Sequence, residues 1–193
     1  MPRVGILAIQ GDFLEHGQVL ERLGIEAPEI RLPHQLDEVD GLIIPGGEST
    51  TIVQLIDIYG FREALKEKVD SGMPVWGTCA GMIVIANRLA DHRPEPLHLM
   101  NIDVARNAFG RQVDSFETDL EINQIDGPPF RAVFIRAPVV KHIGEGVEVV
   151  AELPDGRPVA VKQAHLFATS FHPELTDDTR VHELFVRIVE GSI

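Results

Sequence analysis

Between residues 3 and 89 the chain alternates short runs in which nearly every position is apolar with longer stretches in which apolar residues recur every three or four positions. Runs of the first kind suit strands buried on both faces, and the longer stripes suit helices that cover them. The pattern is therefore βαβα, and it predicts a mostly parallel sheet with helices on both faces. Residues 4–9 read as the first strand. Asp12, with Glu15 three positions on, reads as the N-cap of a helix whose stripe is Leu14, Val19, Leu20 and Leu23 and which Gly24 closes. Residues 29–31 and 41–44 read as the next two strands. Ser49 or Thr50 is the expected cap of a helix through Ile52, Leu55 and Ile56. A helix over residues 61–71, stopped by Gly72, precedes a strand entered through Pro74-Val75-Trp76.

Beyond residue 100 the texture shifts to strands and turns, with β-like patterning at 116–122, 132–135, 147–153, 159–162 and 166–171. Pro154-Asp155-Gly156-Arg157 has the chemistry of a hairpin turn, and a last helix over 177–190 puts Val181, Leu184, Phe185 and Ile188 on one face. Asp91-His92-Arg93-Pro94-Glu95-Pro96 reads as a long mobile loop. No repeat or low-complexity tract interrupts the pattern.

Composition narrows the class. At 193 residues, 44% hydrophobic and 24% charged, the chain suits one core, so a single domain over residues 1–193 is expected. Seventeen basic against 30 acidic side chains give a formal charge of −13, a surface that repels nucleic-acid phosphates and argues against that class of partner. No apolar run is long enough for a membrane span, and the apolar start, residues 4–9, is too short for a secretory leader. The single cysteine allows no intrachain disulfide, which fits a reducing, cytoplasmic setting.

That cysteine carries the chemistry. Gly77-Thr78-Cys79-Ala80-Gly81 lies between the strand at Val75-Trp76 and the apolar run Met82-Ile83-Val84-Ile85-Ala86. Glycines two residues either side of a nucleophile permit a sharp strand-to-helix turn. The turn presents the thiol at a helix N-terminus and aims the Ala80 amide at the same spot. A buried structural cysteine is the competing reading of the pentapeptide alone. His172-Pro173-Glu174, after the last strand-like run, offers a base with a carboxylate to orient it. Pro45-Gly46-Gly47-Glu48-Ser49 offers uncovered backbone amides for an oxyanion hole. A phosphate loop is excluded there by the lack of a G-x-x-x-x-G-K-[ST] pattern. The other histidines, His16, His34, His92, His98, His142, His165 and His182, lack metal-ligand spacing and read as surface or locally hydrogen-bonded side chains; no metal or organic cofactor is expected.

Together these motifs resemble the class I, triad glutamine amidotransferases, a flavodoxin-like α/β three-layer family. Gln10-Gly11-Asp12-Phe13 with Glu15-His16, the segment 45–51, and above all the block 106–116 narrow the resemblance to the glutaminase subunits of pyridoxal 5′-phosphate synthases. The resemblance implies a central mostly parallel sheet with an antiparallel C-terminal extension. It implies Cys79 as nucleophile, His172 as base and Glu174 as its orienter, with Gly47 and Ala80 as oxyanion amides. Glutamine would be held by Gly47, Glu48, Ser49, Arg106, Ile135 and Arg136, while Gln10 and Gly11 would respond to a partner. That partner would be a (βα)8-barrel synthase subunit in a large hetero-oligomer that receives the ammonia. A cysteine peptidase on the same scaffold and a non-catalytic regulatory subunit are the alternatives.

Overall fold

The computed structural model describes residues 1–106 and 115–193. Its first half runs β1 (Val4–Leu7), α1 (Phe13–Arg22), β2 (Glu29–Ile30), β3 (Gly41–Ile44), α2 (Ser49–Ile58), α3 (Phe61–Asp70), β4 (Val75–Thr78) and α4 (Ala80–Ile85). There follow β5 (Ala86–Leu89), β6 (Met100–Ala105), β7 (Ser115–Leu120), β8 (Phe130–Ile135), β9 (Val139–Ile143), β10 (Glu148–Glu152), β11 (Pro158–Gln163), β12 (Leu166–Thr169) and α5 (Arg180–Val189). A seven-stranded sheet has the order β10-β11-β12-β4-β3-β1-β2. Strands β2, β1, β3, β4 and β12 are parallel, and β11 and β10 extend the sheet antiparallel. The parallel part has the doubly wound, flavodoxin-like order, as the sequence motifs imply.

Period-2 alternation sorts each central strand into two cores. Ile6, Ile43, Trp76 and Phe167 face α1 and α5, packing on Leu20, Val181, Leu184 and Phe185. Leu7, Leu42, Ile44, Val75 and Ala168 face the other way, onto Ile52 and Ile56 of α2, Leu65 of α3 and the wholly buried α4. This is why the strands read as continuous apolar runs.

Several elements differ from the sequence reading. Strands β5 and β6 have no counterpart in it: α4 ends at Ile85, and from Ala86 the chain enters β5, which with β6 and β9 forms a separate three-stranded sheet. The strands at 116–122 and 132–135 are β7 and β8, an antiparallel hairpin in which Phe116 stacks on Phe134 at 4.6 Å between ring centroids. Leu14, assigned to the buried stripe of α1, is 58% exposed, and His16 takes the inward place. Asp12 precedes α1 without a side-chain cap bond, and Glu48, not Ser49 or Thr50, caps α2 by accepting from the Thr50 N–H at 3.4 Å. The segment 91–96 is tied down: the Arg62 guanidinium donates to the carbonyls of Glu95 and Pro96, and Asp91 pairs with Arg106. No helix among the described residues is long and apolar enough to cross a membrane.

The two faces of α1 give a direct check. Leu20→Ala should cost about 2–5 kcal/mol, whereas Leu14→Ala should stay within about 0.5 kcal/mol, as read from urea unfolding midpoints.

Candidate active site

Four chain segments leave the carboxyl edge of the parallel sheet side by side: Gln10 to Asp12 after β1, Pro45 to Glu48 after β3, Cys79 after β4, and Ser170 to Glu174 after β12. Doubly wound sheets bind ligands in this crevice, because the loops diverge there and helix N-termini point into it. Here they enclose a cleft of about 470 Å³ lined by Gln10, Asp12, Gly47, Glu48, Ser49, Cys79, Ala80, Ile83, Arg106, Ile135, Arg136, His172 and Leu175. That volume suits a small metabolite.

The elbow forms as its glycine spacing predicts. Cys79 sits at φ 49°, ψ −105°, a conformation non-glycine residues rarely adopt, and directly precedes the first turn of α4. A Cβ on Gly81 would lie 2.0 Å from the Ile44 carbonyl oxygen, and one on Gly77 would lie 2.4 Å from the Gly81 backbone. Only bare backbone lets α4 start this close to β3 and β4. The Cys79 N–H donates to the Thr169 carbonyl at 2.8 Å, which fixes the strained residue to β12. Ala80, the first helical residue, has no preceding turn to accept its amide, so that N–H is available to the cleft.

His172 and Glu174 meet as their spacing suggests. The His172 N–H donates to the Val133 carbonyl at 2.8 Å, anchoring the loop on β8. Nδ1 lies 2.6 Å from Glu174 Oε1, and because a carboxylate only accepts, Nδ1 is the donor. Nε2 is thereby left free to serve Cys79, which lines the same cleft and whose sulfur contacts the Ile135 carbonyl at 3.8 Å. Burial works against charge on His172, but the neighbouring Cys79 and the bond to Glu174 outweigh it and hold the imidazolium up to a pKa of about 10. Burial also pushes Glu174 up; the neighbouring His16 and the His172 bond prevail and keep its carboxyl below the ordinary value. A base kept protonated beside a cysteine, and turned by a buried carboxylate, is the arrangement of a thiol nucleophile ready to attack a carbonyl carbon.

The remaining sequence-assigned residues line the same cleft, with particular partners. Gln10 Oε1 accepts from the Glu48 N–H at 2.8 Å, and a Cβ on Gly47 would lie 2.4 Å from that oxygen, so Gln10 packs directly against the Gly-Gly turn. Gly11 has φ +100°, and the Gly46 carbonyl oxygen would lie 1.9 Å from any Cβ placed there. Arg106 points to the cleft but is held by Asp91 at 2.6 Å and by Thr50 Oγ1 at 3.3 Å. Arg136, exposed at φ 42°, has no ion-pair partner among the described residues. The stretch 107–114 of the distinctive block lies outside the described residues.

Three side chains escaped the reading of roles. Asp12 Oδ2 lies 3.6 Å from His172 Nδ1, and burial together with the Glu174 charge raises its pKa. With His172 and Glu174 it is a cluster of metal-ligand type, yet Nδ1 of His172 is already committed to Glu174. His16 and His182, read as surface or locally bonded residues, are fully buried and in contact with each other behind Glu174. The signal for His16 was its place at i, with Val19 and Leu20 at i+3 and i+4.

A flavodoxin-like sheet whose β4 ends on a strained cysteine in a cleft shared with a His–Glu pair defines the class of cysteine-centred acyl-transfer sites, and comparison makes this specific. The chain belongs to the SNO glutamine amidotransferase family, whose model matches residues 6–191. It is 54% identical to the pyridoxal 5′-phosphate synthase subunit PdxT of Rhodococcus opacus (strain B4), over 98% of this chain and 98% of that one. It is 54% identical to the subunit of the same name from Corynebacterium jeikeium (strain K411), over 97% of this chain and 96% of the relative. A crystal structure of a glutamine amidotransferase superposes with a TM-score of 0.92 at 48% identity, covering 97% of this chain and 98% of the other. The resemblance drawn from the motifs is thus borne out at the level of family and fold.

The buried rings set the pH dependence of stability. His16 and His182 are pushed down to a pKa of about 3, chiefly by burial, whereas an unfolded imidazole takes up its proton near 6.5. The unfolded state therefore binds more protons between these values, and stability must fall as pH drops below about 6.5. At pH 5 each ring should cost about 2 kcal/mol relative to pH 7, and His182→Phe should remove roughly half of that acid limb in urea titrations. His172 has the opposite sign: its contribution is complete below about 6.5 and is lost as pH climbs through about 10.

Proposed function

We propose that this chain, acting in the cytoplasm as one amidotransferase domain over residues 1–193, hydrolyses L-glutamine to L-glutamate and ammonia. The ammonia passes to a (βα)8-barrel synthase subunit that builds pyridoxal 5′-phosphate within a hetero-oligomer. The observation that carries this reading is His172, at 2.6 Å from Glu174 and sharing with Cys79 a cleft that two arginines also line. Relatives at 54% identity carry the name of a pyridoxal 5′-phosphate synthase subunit.

In this mechanism the Cys79 sulfur attacks the carboxamide carbon of glutamine. The Ala80 and Gly47 amides receive the negative charge on the carbonyl oxygen, a pair of donors of which each is typically worth about 10²–10³ in turnover. His172 gives its proton to the departing nitrogen, releasing ammonia and leaving a γ-glutamyl thioester on Cys79. The neutral His172 then takes a proton from water as the hydroxyl oxygen attacks the thioester; collapse expels the Cys79 thiolate and releases the γ-carboxyl of glutamate, which loses its proton to solvent, so that thiolate and imidazolium are restored. Glu48 and Ser49 line the substrate's flank, the Ile135-Arg136 backbone covers it, and Arg106 and Arg136 are the cations for its α-carboxylate. Gln10 and Gly11, packed on the Gly-Gly turn, are placed to reshape the oxyanion site when a partner docks.

The test is ammonia release from glutamine, measured with and without the purified synthase subunit and against a peptide panel. Cys79→Ala should abolish glutaminase activity, a loss of at least about 10³-fold, while leaving the unfolding midpoint and partner binding near those of the parent. Peptide turnover without glutamine turnover would indicate the peptidase reading instead. An inactive parent whose Cys79 fails to react with a glutamine-analogue label, partner present, would indicate a regulatory subunit.

A further inference from the structure

Behind the triad the interior is unexpectedly polar. His16 and His182 are both at 0% exposure, set among Trp76, Phe185 and the apolar face of the sheet. Two leucines or phenylalanines would fill such a place at less desolvation cost, so the pair needs a reason beyond stability. His16 Nδ1 lies 2.9 Å from His182 Nε2. On its other edge, His16 Nε2 lies 3.1 Å from Thr78 Oγ1 and 3.5 Å from Glu174 Oε2. Oε2 of Glu174 and Nδ1 of His182 are buried without a hydrogen-bond partner. Trp76 packs edge-on against both rings, at 5.6 Å and 4.9 Å between centroids, and holds their planes.

The donors and acceptors admit one economical assignment. If His182 carries its proton on Nε2, it donates to His16 Nδ1, and His16 must then carry its own proton on Nε2. That N–H bonds Thr78 Oγ1 and faces the unpaired oxygen of Glu174, and on the two rings only a lone pair of His182 Nδ1 is left unmet. The reverse tautomers would turn a His16 lone pair toward a carboxylate and bury an unpaired N–H on His182. The surroundings oppose a charged alternative: both rings are desolvated, and Arg22 adds positive charge toward His182. The other titratable groups around Glu174 are His172 and Asp12, with Glu15 beyond Asp12 and Cys79 beyond His172.

We propose that His16, locked in its neutral Nε2–H tautomer by His182, is the positioning residue for Glu174, its uncharged N–H facing at 3.5 Å the carboxylate oxygen that does not bond His172. The charge state matters as much as the contact. A cation at position 16 would compete with His172 for Glu174, whereas a neutral donor holds the carboxylate in place and leaves its charge for the imidazolium. His182, on α5, is thereby linked to Cys79, on the turn into α4, through His16, Glu174 and His172.

This deepens the triad reading above and rests on it. With the synthase subunit present, His16→Leu should lower kcat for glutamine roughly ten- to a hundred-fold with KM little changed, the range typical when the support of a functional group is lost. The acid limb of its kcat profile should move to higher pH, because a carboxylate without this donor takes up a proton more readily. His16→Gln, whose amide N–H can reach the same oxygen, should recover most of the rate and of the profile. Histidine-selective ¹⁵N spectra of the full parent chain should give His16 as the neutral Nε2–H tautomer from about pH 5 to 9, a readout independent of any variant's folding. An Nδ1–H or doubly protonated His16 at neutral pH would overturn the proposal. So would a His16→Leu enzyme with parental kcat and pH profile, or Leu and Gln variants impaired alike. In each of these cases an inactive Cys79→Ala control would leave the triad itself standing, whereas an active one would remove the triad reading.

Discussion

The parallel pairing of β12 with β4 is the constraint on which the site depends. Register places Thr169 beside Thr78, and the Cys79 N–H reaches the Thr169 carbonyl at 2.8 Å. Cys79 and His172, 93 positions apart in the chain, therefore leave the same sheet edge on adjacent strands. A two-residue slip would carry the histidine about 7 Å along the strand, beyond reach of the sulfur. The register is pinned by side chains that cannot change faces cheaply: Trp76 and Phe167 on one side, Val75, Leu166 and Ala168 on the other. The Trp76 Nε1–H bond to Thr169 Oγ1 at 3.1 Å adds a polar tie across the same two strands.

Close packing supports the second requirement, the strained backbone at Cys79. A left-handed φ on a non-glycine residue persists only where the surroundings over-determine it. Here α4 begins against the end of β3, with no room for a Cβ at Gly81, and its side chains are all buried. The stability of the second core is thus spent on holding one side chain in an unfavourable conformation, which is why the most completely buried helix follows the strained Cys79.

Much of this was legible because the relevant periods are strong. The βαβα frame followed from apolar runs that no amphipathic helix would show, and the elbow followed from two glycines at fixed offsets. What escaped was polarity in the core. On α1 the buried set His16, Val19, Leu20 with half-buried Leu23 is a regular i, i+3, i+4, i+7 stripe, but a rule that admits only apolar residues replaces His16 by the exposed Leu14. The β5-β6-β9 sheet was hidden for a different reason: Ala86 continues an apolar run, and nothing local marks the change from helix to strand. Asp91's hold on Arg106 was invisible because it depends on a segment whose proline and charge content reads as loop whatever its tertiary contacts.

The site also illustrates how one core can hold identical side chains in opposite charge states. His172, His16 and His182 are all buried, and desolvation depresses the charged form of each. What separates them is what lies opposite each ring. His172 bonds Glu174 at 2.6 Å, has the Asp12 carboxylate at 3.6 Å and has Cys79 beside it, so a proton there is compensated. His16 faces one carboxylate oxygen, a hydroxyl and another imidazole, and His182 faces His16 and the field of Arg22. One oxygen at 3.5 Å does not offset complete burial. The Glu174 carboxylate stands between the two regimes, and its two oxygens divide them: Oε1 belongs to the ring that must carry charge, and Oε2 faces the ring that must not.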